Sequence, residues 1–177
     1  WIGYLLANPV RRLFQNPARL LAPYIGEDMT VLEPGPGMGF FTLELARMVG
    51  PGGRVIAVDI QPKMLSGLER RARRAGLQDR IELRLATPSS LDVKHLAGCV
   101  DVVCAFAVVH EVPDAAAFFA EAAEALKPGS ALLLVEPVWH VNAAAFENEL
   151  ARAAATGFTV MDRPSVWRSR AAALRRS

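Results

Sequence analysis

Between residues 33 and 39 the chain reads Glu33-Pro34-Gly35-Pro36-Gly37-Met38-Gly39, an acid followed by three alternating glycines. With no Cβ in the way, such a backbone can approach a ligand to contact distance. Asp59 stands twenty residues past Gly39, where a carboxylate can take two ribose hydroxyls. Loop and acid together point to a nucleoside. The Gly-Lys-Ser/Thr ending that grips triphosphates is missing, and the glycines run G-x-G-x-G rather than the G-x-G-x-x-G of a pyrophosphate site. Glu33 would repel a pyrophosphate but attract an ammonium or sulfonium group. A positively charged nucleoside fits best.

These residues need a scaffold, and the rest of the sequence supplies one. Apolar runs rich in β-branched residues alternate with helix-like stretches, the pattern of a parallel sheet covered by helices. The runs 29–33, 54–59, 80–85, 100–106 and 130–136 read as strands, and 40–49, 62–75, 89–96 and 114–126 as helices. Pro51-Gly52-Gly53 and Lys127-Pro128-Gly129 each stop a helix before a strand. Asn142 is placed to cap a further helix that reaches Thr156 and stops at Gly157, followed by a sixth strand over 158–161. Only Asp162-Arg163-Pro164-Ser165 separates that strand from a last one over 166–174, too little for a helical crossover, so the seventh strand is expected to run antiparallel. The glycine loop then sits at the C-terminal end of the first strand, where open α/β sheets bind ligands.

Glu33-x-Gly35-x-Gly37-x-Gly39 with Asp59 resembles the cofactor site of the class I S-adenosylmethionine-dependent methyltransferases, and the strand pattern extends that resemblance over nearly the whole chain. Val108-Val109-His110-Glu111-Val112-Pro113-Asp114 is similar to the small-molecule branch related to ubiquinone biosynthesis, the methyltransferase type 11 group. The resemblance implies a Rossmann-like three-layer α/β sandwich with a seven-stranded, mostly parallel sheet and an antiparallel last strand. It implies S-adenosylmethionine as cofactor and S-adenosylhomocysteine as product. By position, Gly35 and Gly37 would lie under the methionine part, Gly39 would complete the loop, and Glu33 would reach the amino group. Asp59 would hold the ribose hydroxyls, Ile60 and Met64 would pack on adenine, and the backbone at Ala105 and Phe106 would line the methionine end. Ile60 and Met64 suit an ordinary core equally well. The chain departs from the family at Thr87-Pro88, where an acid and a small residue are usual; Thr87 can accept from the adenine amino group, but Pro88 has no N–H to offer. Phe106 stands where relatives often carry a small or polar residue.

Methyl transfer from a sulfonium is an in-line displacement, and holding the reactants in line can supply up to roughly 7–11 kcal/mol. A hydroxyl or carbon-acid acceptor also needs a base, and His110, after the fourth strand, is the candidate catalytic residue. A structural or cofactor-lining histidine is the competing reading. His140 lies at the same sheet edge, in a loop, and His95 reads as surface. No metal-ligand spacing is present, no Asn-Pro-Pro-Tyr or Pro-Cys motif of the nucleic-acid-modifying types follows the fourth strand, and Cys104 falls inside a strand that reads as buried.

Composition bounds the remainder. The 177 residues suit one domain, divided here into an N-terminal helical segment, 1–28, that packs on the core, and a cofactor-binding domain, 29–177. Twenty basic and 18 acidic side chains leave a formal +2, and the Arg70, Arg71, Arg73, Arg74 run lacks interleaved aromatics, so no nucleic-acid partner is expected. No apolar stretch is long enough for stable membrane insertion. Cys99 and Cys104 read as core thiols, and a cytoplasmic home follows. The expected partner is a small-molecule methyl acceptor. Two other functions fit the same fold: a nicotinamide-dependent oxidoreductase, which would need a catalytic set not visible here, and a non-catalytic cofactor-binding subunit that works through a partner.

Overall fold

The computed structural model describes residues 17–177. A short helix α1 (Pro17–Leu21) leads to β1 (Thr30–Pro34), α2 (Thr42–Met48), β2 (Arg54–Asp59), α3 (Pro62–Ala75) and β3 (Ile81–Leu85). Then come β4 (Val100–Phe106), α4 (Ala115–Ala125), β5 (Leu126–Pro137), α5 (Ala143–Ala155), β6 (Phe158–Asp162) and β7 (Ser169–Arg176). The seven strands form one sheet in the order β3-β2-β1-β4-β5-β7-β6. β1 to β5 pair in parallel, while β7 pairs antiparallel with both β5 and β6. The antiparallel last strand expected from the short 162–165 connection is present.

Successive strand residues face opposite sides of the sheet, and both sides are apolar. Val31, Val55, Val102, Cys104 and Leu133 pack with Leu21, Leu45, Leu68 and Ala72 from α1 to α3. Leu32, Ile56, Val103, Ala105 and Leu132 pack with Phe118, Phe119, Phe146 and Leu150 from α4 and α5. This is the three-layer sandwich. Asp114 caps α4 by accepting from the Ala116 and Ala117 amides, and Asn142 caps α5 by accepting from that of Ala145. Gly76, at φ +66°, ends α3 in the left-handed conformation that glycine adopts without a Cβ clash.

Several local expectations are corrected. The helix expected over 89–96 is only a 3₁₀ turn, Lys94–Leu96. Thr87 and Ser90 exchange backbone hydrogen bonds of 3.1 and 3.3 Å, and Asp92 has φ +55°, so the chain turns before a helix can start. Lys127-Pro128-Gly129 lies within β5, which begins at Leu126, and the β4–β5 register shifts between Val100 and Val102 to absorb the extra length. β7 starts three residues later than expected because Trp167 and Arg168 form a turn, Arg168 at φ +51°. Cys99 is exposed, not core; Cys104 is buried. Of the expected N-terminal segment 1–28, residues 1–16 lie outside the described residues, while Leu21 and Ile25 pack into the sheet face carrying α2 and α3.

Candidate functional site

Strand order reverses between β1 and β4, so the connections leaving these strands diverge to opposite faces and open a crevice at their C-terminal ends. A cavity of about 840 Å³ fills it. Glu33, Gly35, Gly37, Asp59, Ile60, Met64, Thr87 and Phe106, all singled out from the sequence, line this cavity; Gly39, Ala105 and His110 do not.

The glycines divide the work. Gly35, Gly37 and Gly39 all have positive φ, at +66°, +54° and +82°. A Cβ on Gly35 would lie 2.8 Å from Val108 Cγ2, and one on Gly39 would run into Leu68 Cδ1 of α3. A Cβ on Gly37 would meet nothing within 4 Å, so its bareness leaves room on the cavity side. Gly39 therefore serves the packing of the loop against α3. Arg71 donates to the Met38 carbonyl and ties the loop to that helix. Ala105 is fully buried among the residues beneath α4 and α5.

Glu33 is 2% exposed, and its Oε2 has no hydrogen-bond partner. Burial pushes its carboxyl from 4.5 up to about 8, with the Thr42 hydroxyl pulling the other way. Cys104 lies close enough that Glu33 adds to the upward push that burial gives the thiol. A buried carboxyl oxygen without a partner is costly. Asp59 is also raised by burial, opposed by the backbone amides of Gln61 and Gly37; the Gln61 N–H donates to Oδ1 at 2.8 Å. The remaining charged residues among the described lining are Glu111, Asp114 and Glu121, so every charged residue described there is acidic.

At one end of the cavity Thr87, Pro88 and Ser90 form a tight loop, pinned to α4 because Glu121 accepts from the Ser90 hydroxyl (3.1 Å) and the Leu91 amide (2.8 Å). Phe41 and Phe106, which also line the cavity, lie with ring centroids 4.1 Å apart, and Phe40 meets Phe41 edge-on at 5.0 Å. Ile60 is 51% exposed despite being apolar.

His110 sits outside this lining, in the 3₁₀ turn Val109–Glu111. Its Nδ1 lies 2.5 Å from Glu136 Oε2, while Glu136 Oε1 accepts from the Val109 amide at 2.8 Å. Its ring stacks on that of His140, with centroids 5.0 Å apart and planes 14° from parallel. Glu136 was not singled out from the sequence, although an acid ending an apolar strand is the same signal that marks Glu33 and Asp59.

Residues 25–168 match the family model of a methyltransferase domain. The chain is 32% identical over 123 residues to an arsenite methyltransferase of Halobacterium salinarum, covering 70% of this chain and 30% of that one. It is 34% identical over 136 residues to the nocamycin O-methyltransferase of Saccharothrix syringae, covering 77% and 46%. The chain thus spans less than half the length of these two relatives. Its fold matches the crystal structure of a SAM-dependent methyltransferase from Aquifex aeolicus with a TM-score of 0.86 at 23% identity, over 98% of this chain and 95% of that one.

Proposed function

The chain belongs to the S-adenosylmethionine-dependent methyltransferase family, and from that premise we propose that it transfers a methyl group to a small-molecule acceptor bound at the aromatic end of the β1–β4 cavity. The observation that carries this reading is Glu33: a buried carboxyl with one oxygen lacking a hydrogen-bond partner, lining a cavity whose other described charges are also acidic. An anionic nucleotide would meet repulsion there; a cofactor bearing an ammonium and a sulfonium supplies what Glu33 lacks.

The residues present fit that cofactor. Gly37 offers a cradle a Cβ would fill, and the backbone from Gly35 to Gly37 would hold the methionine part. Asp59, held by the Gln61 amide, would take the ribose hydroxyls. The half-exposed Ile60, with Met64, would pack on adenine, and the Thr87 hydroxyl would accept from its amino group. When bound, the cofactor supplies a methyl group on a positively charged sulfur, open to in-line displacement. The protein's part is to fix the line of approach: Phe41 and Phe106 wall the acceptor end with rigid aromatic surface that excludes water.

Two relatives named for arsenite and nocamycin support a small acceptor. No described helix is long and apolar enough to cross a membrane. The two free thiols suit a cytoplasmic protein. The test is calorimetric titration with S-adenosylhomocysteine and, separately, NAD. Binding of the first alone is expected; binding of NAD with no response to S-adenosylhomocysteine overturns the reading.

A further inference from the structure

The mechanism above leaves one group of titratable side chains unused, at the C-terminal ends of β4 and β5. Glu136 is fully buried, and both of its oxygens are engaged, by the Val109 amide and by His110 Nδ1. With Glu136 ionised, both of its oxygens accept, so a neutral imidazole carries its proton on Nδ1 and its lone pair on Nε2. Nε2 lies 4.0 Å from Glu111 Oε1, beyond hydrogen-bond distance, and Glu111 lines the cavity. That edge of the ring therefore lies beside a residue of the cavity lining, although His110 itself is not part of it. His140 covers one ring face, so the imidazole is held both at Nδ1 and across its plane.

We propose that Glu136 is a positioning residue that fixes His110 with Nε2 open to the acceptor, and that His110 takes the proton of a hydroxyl acceptor during methyl transfer. This rests on the methyl-transfer reading and adds the acceptor class. The acceptor O–H bond breaks, and its proton passes to Nε2. The oxygen's electron pair forms the new O–C bond, while the pair of the broken C–S bond returns to the sulfonium sulfur and neutralises it. The imidazolium charge is offset by Glu136, and the proton later leaves to water. The other ionisable groups around the pair are Glu149 on α5, raised to about 7 by burial and by Glu136, Arg170, in register with Glu136 on β7, and Glu111 and His140 on the flanking turns.

The experiment uses the whole chain, ¹⁵N-labelled, with Glu136→Gln, Glu136→Asp and His110→Asn variants. In the wild type at mildly alkaline pH the His110 ring nitrogens should report Nδ1–H and bare Nε2. In Glu136→Gln, whose amide can donate to Nδ1, the proton should move to Nε2. With labelled S-adenosylmethionine and a panel of simple phenols as probe acceptors, Glu136→Gln and His110→Asn should lose about 100-fold in rate. The rise of rate with pH should vanish with them, and Glu136→Asp should restore part of both. A proton on Nε2 in the wild type overturns the proposal, as does phenol methylation equally fast in wild type and Glu136→Gln. S-adenosylhomocysteine titration separates the two readings: its affinity should be unchanged in Glu136→Gln, whereas failure of the wild type to bind it would overturn the methyl-transfer reading itself.

Discussion

Replacing Glu33 by Gln removes an ionisable proton and almost no volume, which isolates the electrostatic role of the glycine loop's acid. In the folded, ligand-free protein burial holds this carboxyl at about 8 rather than 4.5. A difference of that size corresponds to ~5 kcal/mol between its two protonation states, an upper bound because the site can relax or admit water. Since the folded-state value lies above the unfolded one, the folded protein binds the proton more tightly. The associated stability is whole below the unfolded value and is lost as pH rises through the folded one. Wild-type stability should therefore fall relative to Glu33→Gln between 4.5 and about 8, with a slope approaching ~1.4 kcal/mol per pH unit, and level off above. Urea unfolding of both proteins across this range, plotted as a difference, reads the effect directly. Binding supplies a second reading. An ammonium group needs the ionised carboxyl, so S-adenosylhomocysteine binding near neutral pH should release a proton, seen as a calorimetric enthalpy that differs between buffers. Glu33→Gln should release none at this position and bind more weakly by ~1.5–3 kcal/mol, the range for a hydrogen bond to a charged group. A flat stability difference, or binding without proton release, would refute the reasoning.

Asp59→Ala should weaken S-adenosylhomocysteine binding by about 1–3 kcal/mol through loss of the ribose hydrogen bonds; unchanged affinity in a calorimetric titration would misassign the contact. Gly37→Ala should cost only about 1–2 kcal/mol of folding stability, from its positive φ, because nothing stands within 4 Å, yet reduce cofactor affinity by more than tenfold. Gly39→Ala should do the reverse in emphasis, lowering the thermal midpoint most, since its Cβ collides with Leu68. Glu149→Gln should be the more stable protein above about pH 7 by up to ~3 kcal/mol, because burial and Glu136 raise the Glu149 carboxyl from 4.5 to about 7; chemical denaturation at acid and alkaline pH checks the sign.

Local chemistry in the sequence determined the alternation of strands and helices, the glycine loop, Asp59 at the end of β2 and the antiparallel β7. Each follows from residues a few positions apart: periodicity, caps, turn glycines and a connection too short to cross the sheet. The tertiary structure decided what those residues face. Gly39 reads like its two neighbours, but Leu68, on the next helix, commits it to packing. The run Ser89 to Leu96 has helical composition, yet Glu121, thirty residues on, holds its start as a turn. Arg71 in a basic run reads as a solvated charge but ties down the loop at Met38. His110 stands beside cavity residues in sequence, while its imidazole is captured by Glu136, 26 residues away. The physical reason is common to all four: short-range patterns specify backbone conformation, whereas what a residue meets across space depends on which distant strands and helices the sheet order brings together.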